Sequence, residues 1–142
     1  MQNSFTIKSK SLDELYRIAE EEGIKVLSFN LPKNKAVTVN IGDDCYIGVD
    51  PAVFGREYEE RVVLAHEMGH IATGGFYDTD CSQLQRDKIE HKAEKWAIHF
   101  LVPIKLLKEA IKNGVYTTSD LAEHFSVPVN YMEKVLKYYT EK

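Results

Sequence analysis

The stretch VVLAHEMGHIATGG, Val62 to Gly75, places His66 and His70 four residues apart, with Glu67 directly after the first. Around them stand Val62, Val63, Leu64, Ala65, Met68, Ile71 and Ala72, and Gly74-Gly75 supplies a stop, so the stretch reads as a largely apolar helix. Residues four apart share a helix face, so both imidazoles can be directed at one ion. Zinc takes imidazole nitrogen readily, and two histidines on successive turns can span its tetrahedral angle. Glu67, rotated by about 100° from His66, borders that position instead of binding there, which suits a general base for water at the ion. A purely structural helix accounts poorly for the same residues. A buried carboxylate without a purpose is costly, and Gly69 gives up about 1 kcal/mol of helix propensity relative to alanine. That loss makes sense where something must approach the backbone closely.

The H-E-x-x-H pattern is that of zinc metalloprotease helices, and a catalytic zinc needs a third protein ligand and an open position for water. The helical segment from Ile89 to Leu101 offers Glu90, His91, Glu94 and His99. At about 100° per residue from Ile89, its apolar set (Ile89, Ala93, Trp96, Ala97, Phe100, Leu101) centres near roughly 40°, with Glu90 near roughly 100° and Glu94 near roughly 140°. His91 and His99 fall far from that face and read as surface residues. Only Glu90 turns substantially toward the buried side, where an unpaired carboxylate is expensive and a metal-bound one is not. Glu90 is therefore the expected third ligand. Glu94 reads as a partner for a lysine or as a group orienting a histidine. His124 stays open as a ligand approaching from another direction.

Outward from the motif, the chain alternates its periods. Ser11 and Glu14 form a capping box ahead of Leu12, Leu15, Ile18 and Ala19, and Gly23 ends that helix. IKVLSFNL, then Val37, Val39 and Ile41, then CYIGVD, separated by turns at Pro32–Lys35 and Gly42–Asp44, read as three short antiparallel strands. After the motif helix and the Glu90 helix, Pro103 interrupts, and short helices follow over 104–113, 119–125 and 128–139. The class is α+β, with a core over residues 1–113 and a helical tail over 114–142 packed on it.

The composition, 44% hydrophobic and 28% charged, is that of an ordinary globular protein, and a net charge of -4 leaves no electrostatic footprint for nucleic acid or an anionic membrane. MQNSFTIKSK lacks an apolar signal region, and no apolar run approaches a membrane span. Cys45 and Cys81 fit neither a disulfide framework nor a zinc knuckle and read as free thiols, which leads to a cytoplasmic expectation.

VVLAHEMGH, followed by the EHKAEKWAIHFLVP run from Glu90 to Pro103, resembles the ImmA/IrrE metallopeptidases, which pair an HExxH helix with a downstream E-x-x-A-x-x-[FW]-A-x-x-L-[LI]-x-P helix. Phe100, standing at the leucine position, departs slightly from that second pattern, and Val102 precedes the proline. The resemblance extends to the first helix and to YIGVD, and so covers nearly the whole chain. It implies a minimal zincin-like core, zinc on residues matching His66, His70 and Glu90, and a base matching Glu67. It further implies a prophage or mobile-element setting, with an anti-repressor role against a helix-turn-helix repressor.

The tail, DLAEHFSVPVNYMEKVLKYY, itself resembles a helix-turn-helix, with Leu121, Ala122, Phe125, Val127 and Val135 at core positions. Acids outnumber bases there, and the would-be recognition helix opens PVNYME with no arginine to read a base. Direct DNA binding is therefore disfavoured, and a unit that walls the cleft or grips a protein substrate is expected. The expected reaction is peptide hydrolysis on a substrate paired along the sheet edge at CYIGVD. The spacing identifies no oxyanion-stabilising residue; Tyr77, on the loop after the motif helix, is only a position to examine. The rival class is a non-proteolytic regulator that binds a repressor or DNA. Glu67 favours the enzyme, because binding alone does not require it.

Overall fold

A computed structural model of the chain describes residues 11–76 and 80–141; Tyr77 lies outside them. The first helix, α1 (Leu12–Glu21), starts at the expected capping box. The Ser11 hydroxyl accepts the Glu14 N–H at 3.2 Å, and the Glu14 carboxylate accepts the Ser11 N–H at 2.9 Å. Gly23, at φ +74°, turns the chain into the sheet.

The three strands are β1 (Ile24–Ser28), β2 (Ala36–Ile41) and β3 (Asp44–Val49), in spatial order β1-β3-β2. This corrects the all-antiparallel reading. β2 and β3 form an antiparallel hairpin with Ile41 opposite Asp44, but β1 pairs parallel to β3, with Ile24 opposite Cys45. The Pro32–Lys35 stretch is therefore a crossing past the end of β3 instead of a hairpin turn. It is tied there by hydrogen bonds from Phe29 N–H to Val49 O at 3.0 Å and from Asp50 N–H to Lys35 O at 2.9 Å. The Asp50 carboxylate adds one from Leu31 N–H at 2.9 Å. Side-chain alternation has period two in either orientation, so it cannot distinguish a parallel neighbour from an antiparallel one. Ile24, Ile47 and Val49 face the helices and are buried; Leu27, Phe29 and Val39, on the opposite face, are exposed.

The motif helix α2 (Glu57–Thr73) ends at Gly74 in the left-handed region. Beside it runs α3 (Gln83–Leu101), begun by a second capping box, Ser82 with Gln85. The two helices approach so closely that a Cβ on Gly69 would fall 2.6 Å from the Ala93 carbonyl oxygen. The backbone that Gly69 admits is thus that of α3. Ala93 and Ala97 are fully buried on the α3 side, whereas Trp96 and Phe100 stack on each other at 4.6 Å and pack at the rim of the core instead of inside it.

Three short helices complete the chain: α4 (Ile104–Lys112), α5 (Thr118–Phe125) and α6 (Val129–Thr140). Leu121, Ala122, Phe125, Val127 and Val135 are all buried, as their spacing predicts. The tail is also joined to α2 by polar contacts. Arg61, almost wholly buried, donates to the Phe125 carbonyl at 2.6 Å and the Ser126 carbonyl at 2.7 Å, satisfying acceptors at the C-terminal end of α5. The Tyr58 hydroxyl donates to Glu123 at 2.9 Å. Among the described residues no helix is long and apolar enough to cross a membrane.

The Gly69–Ala93 contact generates a stability prediction. Gly69→Ala should gain about 1 kcal/mol of helix propensity but lose about 1–3 kcal/mol to overpacking against backbone that cannot swing aside. The expected outcome is net destabilisation in chemical denaturation, and a more stable variant would contradict the close approach.

Candidate metal centre

His66 and His70 leave α2 on one face, one turn apart, and meet Glu90 from α3. His66 Nε2 lies 2.9 Å from Glu90 Oε1, and His70 Nε2 lies 3.1 Å from Glu90 Oε2. One ligand atom from each of the three residues falls within 4.8 Å of the other two, the only such cluster of His, Cys, Asp or Glu among the described residues. His91, His99 and His124 are exposed and stand apart from it; His99 instead meets the Tyr138 hydroxyl at 2.9 Å.

The far ring nitrogens of both histidines are also engaged. His66 Nδ1 lies 2.9 Å from Glu94 Oε1, and His70 Nδ1 lies 2.7 Å from the Gly75 carbonyl. A carbonyl can only accept, so Nδ1 of His70 carries the proton, and in the neutral ring Nε2 presents a lone pair. That lone pair faces a carboxylate oxygen, and a cation between them relieves the opposition. The donor set of two imidazoles and one carboxylate fits a divalent metal of the zinc type, with Nδ1 hydrogen bonds of the kind that orient metal-ligating histidines. The Gly74–Gly75 stop has a second use here. Gly74 reverses the chain, the Gly75 N–H bonds the His70 carbonyl at 2.8 Å, and the Gly75 carbonyl reaches back to the ring.

Glu90 and Glu94 both turn toward α2, which corrects the reason given for choosing between them. The Glu94 side chain is 21% exposed and that of Glu90 41%, so the expected third ligand is the more accessible of the two. α3 has α2 on one flank and α6 on the next, and Lys134 of α6 covers Glu94, its Nζ 3.0 Å from Oε2. Glu94 thus fills both roles weighed for it, lysine partner and histidine-orienting group. Burial alone would raise its pKa, but hydrogen bonds from His66 and Lys134 hold it below the ordinary carboxylate value. For His66, burial favours the neutral ring, and the hydrogen bonds to Glu94 and Glu90, with the charges of Glu67 and Glu94, outweigh it and push the pKa up to about 9.

Glu67 is buried beside this cluster and points to β2. Its Oε1 accepts the Thr38 hydroxyl at 2.5 Å. The site opens into a cleft of about 910 Å³ whose lining includes residues 33–40, Phe76, Tyr131 and Lys134. β2, an outer strand of the sheet, borders this cleft; β3, which contains the CYIGVD stretch expected to pair with substrate, is central and has a neighbour on both sides. That expectation passes to β2. Thr38, Lys134 and the Gly75 carbonyl are the site groups that sequence reasoning missed. Only Gly75 had a local signal, as part of the helix stop.

The profile of the peptidase M78 family, described as the IrrE N-terminal-like domain, matches residues 19–137. The chain is also similar to the protein named metallopeptidase ImmA of Bacillus subtilis (strain 168). The two are 26% identical over 129 residues, covering 86% of this chain and 74% of the relative.

The His66 environment predicts a pH dependence for the metal-free protein. Its folded pKa, about 9, lies above the unfolded value near 6.5, so the stabilisation from its charge is complete below about pH 6.5 and disappears as pH rises through about 9. The melting temperature of chelator-treated protein should therefore fall across that window. In a His66→Gln variant this component of the fall should be missing.

Proposed function

The chain belongs to the peptidase M78 family with its IrrE N-terminal-like domain, and from that premise we propose a zinc-dependent endopeptidase in which His66, His70 and Glu90 hold the metal and Glu67 is the general base. The observation that carries this reading is the pairing of roles at each histidine: Nε2 faces Glu90, while Nδ1 is occupied by Glu94 or the Gly75 carbonyl. A metal held there supplies Lewis acidity, polarising the scissile carbonyl and acidifying water.

The protein's own residues do the rest. Glu94 and the Gly75 carbonyl fix the ring orientations that present both Nε2 atoms on one side. Glu67, beside the ligands but not among them, takes the proton from the attacking water and returns it to the leaving amine. β2 offers main-chain hydrogen-bonding groups to a peptide lying extended in the cleft, which suits a protein substrate better than a small molecule. The tail contributes a wall: Tyr131 and Lys134 of α6 line the cleft, and Lys134 is also paired with Glu94. This use of α6 supports the cleft-wall reading of the tail over DNA reading.

For the substrate, the proposal follows the family resemblance: a helix-turn-helix repressor of a prophage or mobile element, cut at a specific site to release the genes it silences. Glu67→Gln tests the enzyme. Glutamine keeps the volume and hydrogen-bonding reach but cannot accept the water's proton, so the variant should fold, retain zinc and bind the repressor without cutting it. General acid–base catalysis contributes typically ~10²–10⁴-fold in rate, enough to remove visible fragments from a co-incubation assay. If the variant inactivates the repressor as well as wild type does, with no fragments in either case, a non-proteolytic regulator replaces the enzyme.

The ligand assignment has its own test in zinc titration. Glu94→Gln should weaken binding by about 10–100-fold, the usual effect of removing a ligand-orienting group, and Glu90→Gln should weaken it further. Equal losses would overturn the assignment of Glu90.

A further inference from the structure

The geometry points to Thr38 as the residue that positions the Glu67 carboxylate for its work as general base. This rests on the peptidase reading and adds a residue that neither the HExxH pattern nor the α3 helix contains. Glu67 sits in mid-helix on α2, and several rotatable bonds separate its carboxylate from the backbone. Among the described residues its carboxylate accepts one side-chain hydrogen bond, from Thr38 Oγ1 to Oε1 at 2.5 Å. The same hydroxyl lies 3.3 Å from the Glu67 carbonyl oxygen. A hydroxyl has a single proton to donate, and the shorter contact to the charged acceptor takes it. Oε1 is thereby pinned toward the sheet, and Oε2 is the oxygen left to work on water.

The backbone explains why a strand residue can do this. Thr38 stands opposite Ile47 of β3, a fully buried residue on the helix-covered face of the sheet. Its side chain therefore points at α2, while Val37 and Val39 alternate to the other face. A β-branched side chain has few rotamers, so the hydroxyl has little room to wander. β2 is also the strand bordering the cleft. A peptide pairing there would lie against the same strand that holds the base, so substrate position and base position share one reference frame. Misplacement of a reacting group by about 1 Å can cost on the order of 10²-fold in rate.

Thr38→Val removes the hydroxyl while keeping shape and strand propensity, and Thr38→Ser keeps the hydroxyl while removing the methyl group. Fluorescein-labelled casein and the helix-turn-helix repressor proposed above serve as substrate probes. Thr38→Val should retain zinc at the wild-type ratio, with kcat lowered by about 10–100-fold and KM within about twofold of wild type, and Thr38→Ser should recover most of the loss. A second measurement needs no turnover. In protein labelled with 13C at the glutamate carboxyl groups, the Glu67 resonance, assigned by its loss in Glu67→Gln, should move in Thr38→Val and return in Thr38→Ser. Wild-type kcat in Thr38→Val, a Thr38→Ser variant as slow as Thr38→Val, or an unmoved Glu67 resonance would each overturn the assignment. If wild type cuts neither probe, the peptidase reading fails on its own account, and the resonance still decides whether Thr38 holds Glu67.

Discussion

The approach of α2 to α3 at Gly69 is the constraint on which the rest depends. The histidines belong to one helix and Glu90 to the other, so how closely they meet depends on how closely the helices pack. With the Gly69 Cα against the Ala93 carbonyl and alanines at 93 and 97, the helices come close enough for one carboxylate to reach both imidazoles. A larger residue at Gly69 would push against the Ala93 backbone and move the imidazoles away from Glu90. The glycine costs helix propensity and in return sets the dimensions of the site.

Around that contact the charged groups form a chain of opposite signs. Lys134 meets Glu94, Glu94 meets His66, and His66 meets Glu90. Each buried charge has a partner, as burial in low dielectric requires. The chain begins on α6, so the tail reaches the histidine indirectly, through a carboxylate. A metal held at His66, as proposed, would compete with a proton that two carboxylates help to hold there.

What could be read without coordinates was what depends on local order. The capping box at Ser11, the Gly74–Gly75 stop, the reason for Gly69 and the buried positions of the tail follow from helical spacing and backbone freedom. His66 and His70 share a face because four residues make about one turn. What could not be read depends on which element lies beside which. Strand alternation is blind to the parallel pairing of β1 with β3. The helical-wheel argument assumed one buried direction for α3, whereas α2 and α6 lie on successive flanks, so Glu94 is more covered than Glu90. Thr38 was beyond reach for the same reason: its meeting with Glu67 exists only because β2, not β3, borders the cleft.

The buried arginine of α2 bears on how this chain can be recombined. Arg61 ends on the carbonyls of Phe125 and Ser126, and Ser126 can offer its carbonyl there because it takes a left-handed turn, φ +57°. Shuffling the tail for an unrelated one would take these two main-chain acceptors from a buried guanidinium, five positions before the first histidine of the motif. A replacement segment would have to deliver hydrogen-bond acceptors to that point. The joint between the motif helix and the tail is thus written partly in backbone geometry, at the turn of Ser126, and partly in side chains, the Tyr58–Glu123 pair and the buried Phe125.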